Sequence, residues 1–399
     1  MQFQLRMLPD YLQLLWLLLP VAAASGWWFA RRNARIGGRN SAGSRISPDY
    51  FKGLNYLLNE QPDKAIEVFI KMLDVDSETV ETHLALGNLF RRRGEVDRAI
   101  RIHQNLIARP TLNSEQRCFA LLELGMDYMR SGLLDRAESL FQELMETGLH
   151  TVQALTQLLE IYQQEKDWDK AIDTARRLES DSGERFAPVI AQFYCEKVEQ
   201  LRQDGEEVQA SDMVRRALNT DPRCVRASLL GAELAYKAGK PKLAIRAYKR
   251  IERQDPDFLP EAIYPLVDCY RELGNVDELM KYLRYIVEKH GGITPTLVLA
   301  ELIAEHQGEA QAIAFITDEL RRRPSVRGVS RLIKYALAHA QGTAKDNLLM
   351  IKDLTGKLLE SKAAYKCNHC GFAGKSLHWQ CPTCKYWNSA KPIHGVEGE

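Results

Sequence analysis

The chain opens with a long uncharged stretch and then changes to a regular pattern of apolar and polar positions. Residues 11–30, YLQLLWLLLPVAAASGWWFA, carry no charged side chain, and translation from either Met1 or Met7 would retain them. A helix of this length rises about 30 Å, which matches the hydrocarbon thickness of a bilayer. Trp27 and Trp28 stand near one end, where interfacial aromatic residues are expected. The pattern therefore predicts a transmembrane anchor over residues 11–30.

The charges on either side of this stretch indicate which way the anchor faces. Arg6 and Asp10 precede it, whereas residues 31–47 contain five arginines and no acidic residue. The positive-inside rule then keeps the following chain in the cytoplasm. A signal peptide cleaved after Ala22–Ala24 is the alternative, and the weakly basic start counts against it. Residues 31–47 form a flexible basic linker with a reach of roughly 20–25 Å, whose arginines either touch anionic lipids or only set the topology.

From residue 48 to about residue 360, small and large residues recur with a helical period and without a strand pattern. Six alanines recur at intervals of 34 to 39 residues: Ala65, Ala99, Ala137, Ala171, Ala210 and Ala244. A glycine often stands five residues earlier, as Gly94 and Gly132 do, and a large ring four residues later, as Phe69 and Phe141 do. The glycine can end a first helix in the left-handed conformation, and the alanine lets the second helix approach closely. The pattern predicts an array of helix–turn–helix units.

This pattern resembles the tetratricopeptide repeat. Six units are clear and two or three weaker ones follow near Gly274, Gly308 and Leu337, so about nine units are expected. His103, Ala175 and Val214 depart from the pattern, because they stand where three of the six clear units carry a large ring. The resemblance implies an all-α superhelix with a groove that usually binds a peptide or another protein. A simple spacer role for the array is the alternative.

The overall composition excludes some function classes. Lys and Arg total 54 against 53 for Asp and Glu, so no bulk positive field indicates nucleic-acid binding. The local clusters Arg91–Arg93 and Arg321–Arg323 are interpreted as solvated helix ends, where cations meet the negative end of the helix dipole. The sequence contains no phosphate loop, nucleophile elbow or zinc-protease motif. We therefore expect no catalytic residues, and no enzyme activity.

The tail carries the strongest chemical signal of the chain. Cys367 and Cys370 form one Cys-x-x-Cys pair, and Cys381 and Cys384 form a second, within YKCNHCGFAGKSLHWQCPTCKYW. Each such turn presents two sulfurs, and two facing turns supply the four thiolates of a tetrahedral site. A segment this short cannot build a sufficient core without a metal. The four cysteines are predicted to bind one iron or zinc ion, since both metals accept four thiolates.

The other cysteines and the residues around the site are assigned to packing. Four isolated cysteines are expected to be small core residues in a reducing compartment: Cys118, Cys195, Cys224 and Cys269. His369 and His378 are not needed as ligands, because four thiolates already complete the shell. Trp379, Tyr386 and Trp387 are expected to cover the metal site.

Three roles compete for the metal module. A structural clip that lets the tail fold and dock on the repeats is favoured. A one-electron iron centre is the second, although the chain shows no flavin or haem motif to supply a redox partner. Nucleic-acid binding is the weakest, because the chain from Ser361 onward has only five lysines against two glutamates.

The order of these parts resembles one family of Gram-negative bacteria. The anchor LLLPVAAASGWW, the repeat LALGNLFRRRGEVDRAIRIHQ and the tail CNHCGF and WQCPTC, followed by KPIHG, are similar to the lipopolysaccharide assembly protein B family (LapB, also called YciM). The resemblance covers essentially the whole chain. It implies an anchor over 11–30, a linker over 31–47, a repeat array over 48–360 and a rubredoxin-like, or zinc-ribbon, module over 361–399.

The family resemblance implies a function that the patterns alone do not. Members are single-pass inner-membrane adaptors whose repeats and metal module lie in the cytoplasm. They promote proteolysis of the deacetylase LpxC by the membrane protease FtsH, and the inner-membrane protein YejM (PbgA) restrains this action. A rubredoxin-type electron-transfer protein and a general membrane-tethered scaffold for envelope-synthesis enzymes are the alternatives. Pairing of the array with a second copy of the chain is left open.

Overall fold

A computed structural model describes most of the chain, in five ranges: residues 48–59, 61–75, 80–360, 362–396 and 398–399. The anchor predicted over 11–30 and the linker predicted over 31–47 lie outside these ranges. Within them, no helix combines the length and the apolar character needed to cross a membrane.

The described chain up to residue 360 consists of eighteen α-helices in nine consecutive pairs, against about nine units expected from the sequence. The pairs are α1 (Pro48–Leu58) and α2 (Pro62–Val75), α3 (Val80–Arg92) and α4 (Val96–Ile107), α5 (Ser114–Ser131) and α6 (Leu134–Thr147), α7 (Thr151–Glu165) and α8 (Trp168–Ser182), α9 (Ala187–Gln203) and α10 (Glu207–Thr220), α11 (Val225–Lys237) and α12 (Pro241–Gln254), α13 (Leu259–Glu272) and α14 (Val276–Lys289), α15 (Ile293–Gln307) and α16 (Glu309–Arg322), and α17 (Val326–His339) and α18 (Gly342–Glu360). A short 3-10 turn, η1 (Pro256–Phe258), precedes α13.

The described residues divide into two compact units, one up to residue 140 and the other from residue 141 onward. In the first unit, Ala65 and Ala99 are fully buried. Gly94, which follows α3, has φ of +83°, the left-handed conformation predicted for it. The helices of the first pair meet closely, because a Cβ added to Gly53 would lie 2.6 Å from the Phe69 ring.

A buried ion network lies at the position where His103 replaces the usual ring. His103 Nδ1 lies 2.5 Å from Asp127 Oδ2, and both side chains are fully buried. Arg91 donates to the same carboxylate at 2.8 Å and to Glu123 at 2.6 Å. The sequence prediction of a solvated helix end was therefore wrong for Arg91, although Arg92 is exposed. The reason is that a carboxylate without water needs cations and donors around it.

The core of the second unit runs through helices α11 to α16. Its largest fully buried side chains include Phe258, Ile263, Leu266 and Tyr270. The isolated cysteines are buried in both units, as predicted: Cys118, Cys195, Cys224 and Cys269.

A three-stranded antiparallel sheet forms the last part of the second unit. Its strands are β1 (Tyr365–Cys367), β2 (Ala373–Gly374) and β3 (Ala390–Pro392), in the order β2-β1-β3. Cys367 pairs with Ala390 across the β1–β3 ladder, and both residues are buried. The central strand thus delivers the first cysteine of the tail to the interior of this small module.

Candidate metal centre and its docking surface

Two similar turns hold the four cysteines. The amide of Gly371 donates to the carbonyl of Cys367 at 3.0 Å, and the amide of Lys385 donates to that of Cys381 at 2.9 Å. Gly371 and Lys385 both have positive φ, +80° and +60°. The left-handed residue after each Cys-x-x-Cys pair closes its turn, so that both sulfurs of the pair lie on one side.

The four sulfurs lie together as a tetrahedral site requires. All four Sγ atoms are within 4.8 Å of one another. The distance between Cys367 Sγ and Cys384 Sγ is 3.8 Å, and that between Cys370 Sγ and Cys381 Sγ is 3.6 Å. Metal–sulfur bonds of about 2.3 Å in a tetrahedron place the sulfurs about 3.8 Å apart. The arrangement therefore fits one ion bound by four thiolates, with either zinc or iron as the metal.

The protonation of these thiols also indicates a cation. The hydrogen bond between Cys367 Sγ and the Ser389 hydroxyl, together with the one that the Cys370 amide donates, lowers the pKa of Cys367 to about 5. Burial, with the neighbouring sulfurs, raises the pKa of Cys384 to about 12. Four adjacent thiolates repel one another, so all of them can be deprotonated near neutral pH only around a cation.

The histidines beside the site have packing contacts, in agreement with the sequence interpretation. His369 stacks on Tyr386 with ring centroids 3.7 Å apart. His378 Nε2 lies 3.2 Å from the Ser376 hydroxyl. Neither histidine belongs to the group of close metal-binding atoms, which consists of the four cysteines.

Trp387 docks the module on the helix array. Its indole meets Phe193 edge-on at 5.8 Å and Trp168 at 6.4 Å between ring centroids. Its Nε1 donates to Gln163 Oε1 at 2.8 Å, and Gln380 Nε2 donates to the same oxygen at 3.3 Å. Trp387, which was expected to cover the metal site, thus contacts α7, α8 and α9.

Trp379 forms a second aromatic contact with the array. It stacks on Phe258 with ring centroids 5.4 Å apart, and the Arg226 guanidinium lies 5.9 Å from its ring centroid. Phe258 is fully buried in the core of the second unit. Trp379 thus connects the metal module directly to that core.

Polar contacts also hold the module on the array. Lys391 Nζ lies 2.9 Å from carboxylate oxygens of both Asp255 and Asp257. The Tyr365 hydroxyl donates to Glu261 at 2.5 Å. Because Lys391 and Tyr365 lie on β3 and β1, these contacts attach the sheet itself to η1 and α13.

The sequence analysis did not find the array side of this docking surface. Its members are spread over about 100 residues: Gln163, Trp168, Phe193, Arg226, Asp255, Asp257, Phe258 and Glu261. One signal was present, because Trp168 stands three residues before Ala171, where the other clear units carry smaller residues. A large ring at the exposed start of a helix indicates that something covers it.

Comparisons with known families match the helix array and the four-cysteine module separately. The family described as Rubredoxin metal binding domain matches residues 365–392. The tetratricopeptide repeat family matches residues 82–115, 122–185 and 209–257. The helix pairs and the four-cysteine module are therefore a tetratricopeptide-repeat array and a rubredoxin-like metal module.

Curated relatives match the chain over almost its full length. The protein named Lipopolysaccharide assembly protein B from Escherichia coli (strain K12) is 41% identical over 388 residues, which is 97% of this chain and 100% of the relative. The protein of the same name from Haemophilus influenzae is 37% identical over 396 residues, which is 97% of this chain and 99% of the relative. The chain belongs to the lipopolysaccharide assembly protein B family.

Proposed function

We propose that this protein is a non-catalytic adaptor of lipopolysaccharide assembly that promotes FtsH-dependent proteolysis of LpxC. The observation that carries the proposal is the full-length identity of 41% to a relative named for lipopolysaccharide assembly. Tetratricopeptide-repeat arrays usually present an extended surface to protein partners, and this supports an adaptor. FtsH, LpxC and a YejM (PbgA)-type regulator are the proposed partners.

In this proposal the metal module is a structural clip. An ion bound to Cys367, Cys370, Cys381 and Cys384 joins the two turns and so shapes a segment too short to fold alone. The shaped module then holds Trp379 and Trp387 against the array. The contacts extend from Gln163 on α7 to Glu261 on α13, so the clip fixes the relative positions of several helix pairs.

The proposal places the array on the cytoplasmic side of the inner membrane. Residues 11–30 would be the single transmembrane helix, and residues 31–47 a basic linker. A tether of this kind raises the effective concentration of bound partners at the membrane, where FtsH acts.

The half-life of LpxC tests the adaptor proposal. In Gram-negative cells depleted of their own family member, this chain should shorten the LpxC half-life, and Cys381→Ser should fail to do so. Cys269→Ala is the matched control, because Cys269 is buried in the array, away from the metal site. An LpxC half-life that does not respond to the protein would exclude the proteolytic role and favour the general scaffold.

Two variants test whether the anchor only tethers the array to the membrane or also contributes through its own sequence. A variant without residues 1–47 should accumulate as folded protein but regulate LpxC poorly. Exchange of residues 11–30 for an unrelated single-pass helix should restore regulation if the anchor only tethers the array. If regulation returns but no longer responds to the YejM-type protein, the helix itself is the contact for that regulator.

A further inference from the structure

An open cleft of about 310 Å³ lies where α13, α15, α17 and α18 meet. Four of its lining residues are cationic: Arg327, Arg331, Lys334 and Lys352. No acidic residue of the described chain lines it. The whole chain carries nearly equal numbers of acidic and basic residues, so the cleft concentrates cations locally.

The cations of the cleft come from two neighbouring helices. Arg327, Arg331 and Lys334 stand at i, i+4 and i+7 on α17, so the helical period places them along one face. Lys352 comes from α18, which packs against α17. The cationic groups are therefore presented by two packed helices and not by a loop.

The two lysines of the cleft differ from its two arginines in their partners. The arginines pair with Glu399 and Glu301, respectively. Lys334 and Lys352 are exposed, and neither forms an ion pair with a residue that the structure describes. Two ammonium groups of the cleft are therefore not neutralised by the described chain.

Two hydroxyl groups of the cleft are also open to a ligand. Within the described ranges, no residue shares a hydrogen bond with the hydroxyl of Ser330 or of Tyr264. Tyr264 is 49% exposed and Ser330 is partly exposed, so both can be reached from the solvent. A hydroxyl can donate a hydrogen bond to an anion. The cleft therefore offers two ammonium groups and two hydroxyls, all of them accessible.

A phosphate monoester matches these groups better than a carboxylate does. Near neutral pH it carries almost two negative charges, and its three free oxygens accept hydrogen bonds from several directions. A carboxylate has one charge and two oxygens. Lysine is a common ligand of phosphate groups. A volume near 310 Å³ is at the small end of ligand-binding clefts, which suits a small ester.

We propose that this cleft binds a small phosphate monoester. Lys334 and Lys352 donate to the phosphate oxygens from α17 and α18, and the Ser330 hydroxyl donates to the same group. The carbon part of the ester lies against Leu359 and the ring of Tyr264. The ligand thereby connects the last two helices of the array. This site goes beyond the adaptor function and does not depend on it.

Calorimetric titration of the full chain in nonionic detergent micelles tests the site. Glucose 6-phosphate at about pH 7.5 should bind saturably, with one site per chain. Glucose 6-sulfate has a similar shape but one charge fewer, so it should bind at least about fivefold more weakly. Equal affinity for the two esters would overturn the proposal.

Two kinds of probe distinguish a soluble ester from a lipid headgroup, since both can carry a phosphate monoester. Phosphatidic acid in the micelles and free glycerol 3-phosphate each compete with glucose 6-phosphate. The stronger competitor of the two identifies the source, and either result supports the site. Phosphatidylglycerol, a diester with one charge, should compete weakly. Competition by phosphatidylglycerol as strong as that by phosphatidic acid, or no binding of any monoester, would contradict the site.

Substitutions of the two lysines separate recognition from folding. Lys334→Gln and Lys352→Gln should each weaken the binding of the monoester by about tenfold, because a charge-assisted hydrogen bond is lost. Both side chains are exposed, so the melting temperature should change by less than about 2 °C. Lys345→Gln is the matched control, because it removes the same charge from α18 outside the cleft. Equal weakening by this control would assign binding to the general charge of the helix and would overturn the proposed site.

Discussion

The indole of Trp387 meets the ring of Phe193 edge-on, with centroids 5.8 Å apart and planes at 84°. This contact joins the metal module to α9. Edge-to-face pairs of this kind add about 0.5–1.5 kcal/mol beyond the area that the rings bury. The module is thus attached by aromatic contacts of Trp379 and Trp387 and by the ionic contacts of Lys391.

Trp387→Ala should release the aromatic attachment. The loss of ring burial and of the hydrogen bond to Gln163 should weaken docking by about 2–3 kcal/mol. Hydrogen exchange measured by mass spectrometry should show lower protection in α8, α9 and the tail. Tyr386→Ala is the matched control, since that ring stacks on His369 inside the module. Equal protection in the two variants would show that Trp387 does not hold the module.

Loss of the metal should unfold the tail but not the array. Cys381→Ser should lower the metal content from one ion per chain towards zero and remove protection from residues 365–392. The helical signal in far-UV circular dichroism should persist, because repeat pairs are stabilised by their neighbours. Cys269→Ala should keep its ion and lose about 1 kcal/mol of stability.

The colour of the purified protein distinguishes the two metals. An oxidised iron site with four thiolates is red, and a zinc site is colourless. Iron would support the electron-transfer alternative only together with a reversible potential and a physiological redox partner.

Docking of the metal module on the array should weaken at high pH, because Lys391 loses its charge. Burial alone would lower the pKa of Lys391, but the carboxylates of Asp255 and Asp257 outweigh it and raise the pKa. A raised pKa means that the stabilisation is complete below about pH 10.4, the value for a free lysine, and is lost as pH rises through the pKa of the folded state. Tryptophan fluorescence of Trp379 and Trp387 should follow this loss.

Two substitutions of Lys391 test this assignment. Lys391→Arg should keep docking intact at pH 11, because the guanidinium remains charged. Lys391→Met should weaken docking at every pH. The same high-pH loss in the arginine variant would assign it to another group.

His103→Phe should destabilise the first unit although it restores the ring found in other repeats. The substitution removes a partner of the fully buried Asp127 carboxylate, which should cost about 2–3 kcal/mol. The urea midpoint and the hydrogen exchange of α4 and α5 report the effect. His339→Phe, at an exposed histidine, should change stability by less than about 0.5 kcal/mol.

A double-mutant cycle tests whether the effect belongs to the pair. Asp127→Asn combined with His103→Phe should cost less than the sum of the two single changes. Strict additivity would mean that the short contact contributes no coupling energy.

The parts of the fold that could be predicted are those that local geometry imposes. The six alanines of the period are all fully buried, and Gly94 and Gly132 have the left-handed φ expected of them. The two cysteine pairs could be predicted equally well, because each pair lies within one tight turn. In these cases a few neighbouring residues carry the whole signal.

The parts that escaped prediction are contacts between distant residues. Gln163 and Trp387 are 224 positions apart, and neither segment contains a pattern that predicts their contact. His103 and Asp127 are 24 positions apart, so the sequence shows an irregular repeat but not the buried contact that explains it. Spacing therefore predicted the metal ligands, whereas the surface that receives the module required the folded chain.

The order of the strands has a consequence for synthesis on the ribosome. β1 pairs with β3, so the sheet of the metal module cannot close until Pro392 has been made. At about 5–20 residues per second, translation from Trp168 to Pro392 takes roughly 11–45 s. During this interval Trp168, Phe193 and Phe258 have no tryptophan from the tail to cover them, and chaperones or proteases can reach them. Only a chain that has been translated as far as Pro392 can therefore close the module and cover these residues.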